Sequence, residues 1–578
     1  MGKLQLERFK GYSLERFRKD LLSGLIVGIV AIPLAMSFAI ASGVKPEYGI
    51  YTTFIAGIII SLFGGSKYQI GGPTGAFVPI LLGIVITYGY KDLLLAGLMA
   101  GLLLCLMGLF KLGSLIQFIP RPVTIGFTSG IAVIIFTGQI ASFLGLTDIE
   151  KHEKFIANIN ELFANIDSIN MYNVVIALLC LLIILITPKV LPKVPGSLAG
   201  IIISTIVAII FFSGQVPTIG STYGAIPNTL PQFQIPEISW ERIERLIGPA
   251  FVIAMLGGIE SLLSAVVADG MTNTRHNSNK ELLGQGLANI ITPLFGGIPA
   301  TGAIARTATN IKSGATSQMS GVIHGIFVLL VLLLFAPYAS HIPLASMAPI
   351  LMVVAWNMSE RQHFVHILKL KSEDSLVLIV TFLLTVFTSL TLAVEVGLVL
   401  ALVLFTKQMI NAPAIFKVLP DHSRKNAKVQ PYIVNVKRNC PQISIYTIEG
   451  PLFFGAAQTF EQTILSDITS KPNVLILRMS KVPFIDTTGE SYFLNVVQQF
   501  KKQGGTILVT GLQPRLKLAM KKSGLYKEIG PENFFEHTGQ TIDVALSYLD
   551  KNKCLGCQHF AFRECATFSR TKQEYNSE

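Results

Sequence analysis

The sequence predicts an α-helical polytopic membrane protein of about fourteen spans, arranged as seven-plus-seven inverted repeats, followed by a small α/β domain. Three observations carry that reading. Only 14% of the 578 residues are charged against 51% hydrophobic, with a mean hydropathy of +0.58, whereas soluble domains carry about 25% charged residues. A Thr-Gly-Ala triplet occurs twice, each time after a Gly-Gly and a Pro, at an offset of 227 residues. Beyond Asn411 the charge density rises, and strand-like and helix-like patterns replace the long apolar runs. The composition excludes an ordinary cytosolic globule, and its excess of apolar surface excludes a disordered chain.

The net charge is +12, from 46 basic and 34 acidic residues. No basic residues run through the apolar two-thirds as a phosphate-tracking groove needs, so nucleic acid is not an expected partner. Membrane orientation accounts for the excess instead. The six cysteines make no disulfide framework: Cys105 and Cys180 lie in apolar stretches, while Cys440, Cys554, Cys557 and Cys565 follow the last one. That distribution suits a reducing cytosolic side. Near the start, Lys3, Arg8, Lys10, Arg16, Arg18 and Lys19 precede an apolar run, as in a signal peptide. The run from Leu21 to Ser42 is long enough to span, which opposes cleavage.

Apolar segments fall at 21–42, 47–63, 75–88, 92–110, 122–145, 171–187, 197–214, 247–268, 282–297, 302–313, 319–336, 342–356, 374–391 and 394–410. Several are shorter than the ~20 residues a spanning helix needs. With the N-terminus inside, the inward loops hold Lys67, Lys111, Arg121, Lys189, Lys193, Arg275, Lys280, Lys312, Arg361, Lys369 and Lys371. The outward loops pair Lys45 with Glu47 and Lys91 with Asp92, or are net acidic. Basic residues concentrate in cytoplasmic loops, so both termini are expected in the cytoplasm of a multi-pass inner or plasma membrane protein. The domain reading is 1–20 cytosolic segment, 21–410 transporter, 411–429 linker, 430–550 α/β domain and 551–578 cysteine-containing tail.

The two triplet copies, Gly71-Gly72-Pro73-Thr74-Gly75-Ala76 and Gly296-Gly297-Ile298-Pro299-Ala300-Thr301-Gly302-Ala303, open segments three and ten. Seven is odd, so two seven-span halves enter the membrane from opposite sides, as in secondary transporters. Glycine and proline before a short apolar segment predict chain that crosses part of the bilayer unwound and turns helical near the midplane. Such backbone survives only inside protein or beside a watery cavity. Half-helix N-termini converging there favour an anion. The predicted substrate site is Thr74, Gly75, Ala76 and Phe77 against Thr301, Gly302, Ala303 and Ile304. Close helix packing through small residues is the other reading of the same glycines.

Ionisable residues inside spans are costly and invite a role. Arg306, one turn into segment ten, supplies fixed positive charge near the anion or pairs with a nearby carboxylate or carbonyl. Glu260, in mid-segment eight after Gly257-Gly258-Ile259, exchanges a proton or neutralises Arg306. Asp269 reads as interfacial, and Phe38 and Phe77 as cavity or packing aromatics. His276, in the polar run from Asp269 to Gln285, has no metal-spaced partner and reads as structural.

The stretches Gly258-Ile259-Glu260-Ser261-Leu262-Leu263-Ser264-Ala265, Asn279-Lys280-Glu281-Leu282-Leu283-Gly284-Gln285-Gly286-Leu287-Ala288-Asn289 and Pro299-Ala300-Thr301-Gly302-Ala303-Ile304-Ala305-Arg306-Thr307 resemble the SulP sulfate permease family, whose animal relatives include pendrin and prestin. The resemblance reaches to about Leu549. It implies a fourteen-span transporter of seven-plus-seven repeats, a core domain moving against a gate domain, and homodimers. It also places the anion between segments three and ten, with the acidic position of span eight at Glu260 and the arginine of span ten at Arg306. One departure stands in segment one, where Pro33-Leu34 replaces the Pro-Gln of many relatives. A sodium-coupled bicarbonate branch carries Asp and, four residues on, Thr. Here the pair is Glu260 and Ser264, which favours proton coupling and leaves sodium open.

In the C-terminal part, Val474–Met479 and Thr506–Val509 read as strands, and Glu490–Gln503 and Leu516–Ser523 as helices. Asp486-Thr487-Thr488-Gly489 resembles the phosphorylated loop of anti-sigma-factor antagonists and, with Gly450-Pro451-Leu452-Phe453-Phe454-Gly455, implies a STAS domain. Thr487 or Thr488 either accepts phosphate or caps the following helix. Cys554, Cys557, His559 and Cys565 have spacing suited to one zinc, against the alternative of a reduced, exposed tail. No other cofactor and no catalytic constellation is read. The expected activity is secondary transport of a small anion, sulfate or a related inorganic one, with proton coupling. Sodium-coupled bicarbonate uptake, dicarboxylate uptake, anion exchange and an anion sensor signalling through STAS stand as alternatives.

Overall fold

The computed structural model describes residues 12–114, 120–147, 149–191, 194–388, 390–411, 414–420, 429–430, 439–468, 472–559 and 561–569. Lys3, Arg8, Lys10, Lys193 and much of the expected 411–429 linker lie outside the described residues. The chain divides into two compact units, Met1–Ala401 and Leu402–Glu578.

Each predicted apolar segment holds a helix. They are α1 Leu14–Ala41, α2 Pro46–Phe63, α3 Val78–Tyr88, α4 Tyr90–Leu109, α5 Arg121–Gly138, α6 Met171–Val190 and α7 Gly196–Phe211. The second set is α8 Trp240–Thr272, α9 Ser278–Leu294, α10 Ile304–Lys312, α11 Met319–Ala339, α12 Leu344–Met358, α13 Glu373–Phe387 and α14 Leu390–Asn411. Polar N-caps start several of them: Ser13, Asn170, Ser239 and Asn277 accept first-turn N–H groups before α1, α6, α8 and α9. Eight helices among the described residues are long and apolar enough to cross a membrane. Exposed side chains such as Leu178, Leu182 and Leu185 on α6 and Ile202, Ile206 and Ile209 on α7 give the bundle an apolar outer face suited to lipid.

Inside the bundle, small residues set the approach of the helices. A Cβ on Gly286 of α9 would sit 2.7 Å from the Gly101 carbonyl oxygen of α4 and 2.5 Å from the Cys105 sulfur. Any side chain there would push α9 off α4. Since α9 carries groups that brace the unwound chain before α10, this contact bears directly on the site.

The second unit is built on a five-stranded sheet, β3 Ala414–Lys417, β4 Ile443–Glu449, β5 Val474–Lys481, β6 Thr506–Thr510 and β7 Phe534–Phe535, paired in that order; β1 Gly71–Gly72 and β2 Thr301–Gly302 belong to the first unit. Only β3 is antiparallel to its neighbour. Helices α15 Phe454–Ile468, α16 Thr487–Lys502, α17 Pro514–Lys522 and α18 Thr538–Ser547 accompany it. Alternate strand residues face two cores, as the period of two requires. Leu475 and Leu477 join Phe460, Phe493 and Phe500, while Val474, Ile476 and Leu508 join Ala545, Ala561 and Phe562. Residues 551–569, expected as a tail beyond the domain, thus contribute Ala561 and Phe562 to its core.

Candidate functional site: two crossed half-helices

The chain before α3 and before α10 is extended, and the two stretches pair. Strand β1, Gly71–Gly72, runs antiparallel to β2, Thr301–Gly302, with Gly71 opposite Gly302. Each strand leads into a short helix, so α3 and α10 leave the crossing in opposed directions. Their 11 and 9 residues give lengths of about 16 and 14 Å, roughly half of a ~30 Å hydrocarbon core.

Extended backbone at this depth must find its hydrogen bonds in protein, and side chains supply them. Ile298 N–H donates to Thr52 Oγ1 on α2 at 2.7 Å. Asn289 on α9 serves both groups of Ala300, accepting its N–H at 2.8 Å and donating to its carbonyl at 2.8 Å. Gly302 N–H donates to Ser261 Oγ on α8 at 3.0 Å, and Ala303 N–H to the Ile70 carbonyl at 2.9 Å. In return Thr307 Oγ1 accepts the Ile70 N–H at 3.1 Å. Replacing Asn289 with Ala leaves both Ala300 groups unsatisfied, at about 1–3 kcal/mol each. The melting temperature of the detergent-purified variant is expected to fall by several degrees; unchanged melting would show that Ala300 finds other partners.

Beside the crossing lies a cavity of about 430 Å³ lined by Thr74, Gly75, Ala76, Ala303, Ile304, Arg306 and Glu260. Its remaining walls include Leu34 and Phe38 of α1, Phe127 of α5, Val354 of α12 and Leu398 of α14. The first hydrogen bond within α10 runs from Thr307 N–H to the Ala303 carbonyl, so the N–H groups of Ile304, Ala305 and Arg306 precede the helical ladder, as at any N-terminus. Ile304, Ala305 and Arg306 all line the cavity.

Arg306 and Glu260 each hold a half-helix. Arg306 is 3% exposed. Its Nη2 donates to the Pro73 carbonyl, and its Nη1 has no partner among the described residues. A Cβ on Gly72 would meet that nitrogen at 2.5 Å, so glycine is what admits the guanidinium. Glu260 accepts a hydrogen bond from Thr74 Oγ1 at 3.0 Å. The two side chains share the cavity, and no direct ion pair joins them among the described residues. Of the two structural partners expected for Arg306, carbonyl or carboxylate, the carbonyl is the one it bonds.

The other predicted residues lie behind the wall. Phe77 is buried, and its ring tip would lie 3.1 Å from a Cβ on Gly257. Thr301 Oγ1 donates to the Gly257 carbonyl at 2.9 Å and meets Ser261 Oγ at 2.7 Å, and Gly302 stays in the ribbon. Ser264, buried one turn beyond Glu260, hydrogen-bonds Thr307 Oγ1 at 3.1 Å and does not line the cavity. Leu34 does line it, presenting an aliphatic surface. The wall also includes Thr124, Thr128, Asn357, Glu360 and Glu395, which sequence reasoning passed over. Glu395, an acid within the apolar segment 394–410, was open to discovery by the rule that singled out Glu260. His276 is the structural partner of Asp269, with Nδ1 at 2.7 Å from Oδ2.

In the second unit, the helix cap corrects one expectation. Asp486, not a threonine hydroxyl, accepts the Gly489 N–H at 2.7 Å at the start of α16, and it also accepts the Phe454 N–H at 3.1 Å. An acceptor at the N-cap reaches the third N–H of the helix, whereas Thr487 and Thr488 are already inside the first turn. Thr487 is exposed and Thr488 half-buried.

Crossed half-helices beside a cavity with a buried cation and a carboxylate define a polytopic membrane transporter of the inverted-repeat kind, suited to anions. The chain belongs to the sulfate permease family, whose model matches residues 17–381, and a STAS domain matches residues 434–542. It is 56% identical over 92% of its length, and 98% of the relative's, to "Putative sulfate transporter YvdB" of Bacillus subtilis (strain 168). It is 29% identical to the bicarbonate transporter BicA of a Picosynechococcus species, covering 89% of this chain and 92% of that one. Among solved structures, the murine solute carrier 26 family member A9 anion transporter shares the fold with a TM-score of 0.85 at 18% identity, over 94% of each chain.

Proposed function

We propose that the protein is a secondary active transporter that moves a small anion, sulfate first among the candidates, together with a proton. The observation that carries this is the crossing of α3 and α10, with Arg306 and Glu260 on the same cavity. Half-helix N-termini favour negative charge, and Arg306 adds a whole positive one. With Glu260 ionised, its charge offsets that of Arg306; with Glu260 protonated, the positive charge of Arg306 is left for the anion. Anion and proton therefore enter and leave together.

The cavity walls suggest the moving parts. One side comes from α1, α8, α10 and the chain before α3, and the other from α5, α12 and α14, so sliding one set past the other opens the site alternately to each face. Regulation belongs to the STAS domain, and both termini sit in the cytoplasm in this reading. The decisive measurement is uptake of labelled sulfate into proteoliposomes under an imposed pH gradient. Accumulation driven by protons without sodium supports the proposal. Uptake that needs sodium and ignores pH overturns the coupling and favours bicarbonate as substrate; binding without flux favours an anion sensor.

A further inference from the structure

We propose that Cys440, Cys554, Cys557 and Cys565 form a four-thiolate site for a zinc-class divalent ion that clasps residues 551–569 onto the start of β4. The sequence spacing alone pointed to three tail cysteines with His559. The fold changes the fourth ligand. His559 is exposed, whereas Cys440, three residues before β4 and 9% exposed, sits in the same core patch as Ala561 and Phe562, with Cys565 packed against it.

Three of the sulfurs accept hydrogen bonds within the fold. Cys440 Sγ accepts backbone N–H bonds from Gln442 and Ile443. Cys565 Sγ accepts the Phe562 N–H at 3.4 Å and also that of Ala561. Cys554 Sγ accepts from Gln442 Nε2 at 3.4 Å. Gln442 is itself the hinge of the clasp, because its Oε1 accepts the Asp550 N–H at 2.9 Å and its Nε2 donates to the Asp550 carbonyl at 3.1 Å. The tail closes on itself through Gly556 N–H to the Ser569 carbonyl at 3.2 Å, with Gly556 at φ +71 in the turn between Cys554 and Cys557.

All four cysteines are free thiols; Cys440 and Cys565 share one core patch, and Gln442, two residues beyond Cys440, donates to Cys554 Sγ. A divalent cation that binds thiols displaces their protons as it loads. Sulfur donors in a set of four suit tetrahedral zinc, with bonds of about 2.3 Å. Among the described residues no three His, Cys, Asp or Glu side chains already stand as a metal cage, so loading requires the sulfurs to draw together on the ion.

The test uses the full chain purified in detergent under reducing conditions and loaded with zinc chloride, followed by removal of free metal. About one zinc per chain is expected, with H559A retaining it and C440S losing it. Zinc in C440S at the wild-type level, or loss in H559A, overturns the ligand set, and a wild-type chain that retains no zinc overturns the site. Because C440S alters a buried core side chain, alkylation of the wild-type thiols by N-ethylmaleimide gives a second reading. Zinc is expected to slow labelling of Cys440, Cys554, Cys557 and Cys565 together by tenfold or more, reversed by chelator; Cys440 labelling at one rate with and without zinc overturns its place.

Discussion

Replacing Glu260 with Gln is expected to abolish proton-driven accumulation while sparing anion binding and exchange. Gln has nearly the shape of Glu, and its carbonyl oxygen still accepts the bond from Thr74 that holds the start of segment three. What it lacks is the proton. Its neutral side chain fixes the cavity in the state that favours the anion. For one proton per anion, each pH unit of gradient supports about tenfold accumulation, so the variant's ratio should fall to that set by the anion's own gradient and the membrane potential. Sulfate-for-sulfate counterflow should persist. Retained tenfold accumulation per pH unit would move the proton to another carboxyl, and Glu395, across the same cavity, is the next group to replace. In the reading proposed here, E395Q keeps the pH-driven accumulation.

How much of this was legible in the sequence depends on where the information lies. The helices were, because a spanning segment writes its own apolar run, and all fourteen predicted segments hold helices. The crossing was also legible, since Gly-Gly and Pro mark where a helix cannot continue, and a repeat at an odd span offset dictates opposed entry. The inner ends of the predicted sites were less so. Thr301 and Gly302 belong to the motif but are used up in the ribbon, and Ser264 bonds to Thr307 instead of facing the cavity. A motif records which residues a crossing needs without saying which of them reach the cavity. Thr124, Thr128 and Asn357 come from α5 and α12, elements distant in sequence, and carry no local mark. In the second unit the strands over Val474–Lys481 and Thr506–Thr510 were readable, but β4, Ile443–Glu449, was not read as a strand. With it went Cys440, whose meaning depends on a tail more than 110 residues away.

Replacing Arg306 separates two roles that one side chain combines. Its Nη2 holds the Pro73 carbonyl, and its charge sets the field of the cavity. An effective permittivity of about 20 and a separation of about 6 Å give roughly 3 kcal/mol per unit charge on the anion, or about a hundredfold in affinity for a monoanion and more for a dianion. R306A is therefore expected to weaken sulfate far more than nitrate in competition for uptake, and to melt earlier because the Pro73 carbonyl loses its donor. R306K keeps the charge and so keeps the preference for sulfate, with part of the stability lost. A variant R306A that melts early yet ranks sulfate and nitrate as the wild type does would reduce Arg306 to a strut. The charges also predict a coupling. In R306A the ionised Glu260 faces the anion alone and repels it, so binding should recover as the pH falls. Adding E260Q removes that repulsion, and the double variant should bind sulfate more tightly than R306A at neutral pH. Such non-additivity is expected of two groups that share one cavity, and strictly additive losses would mean that Glu260 and Arg306 act on the anion independently.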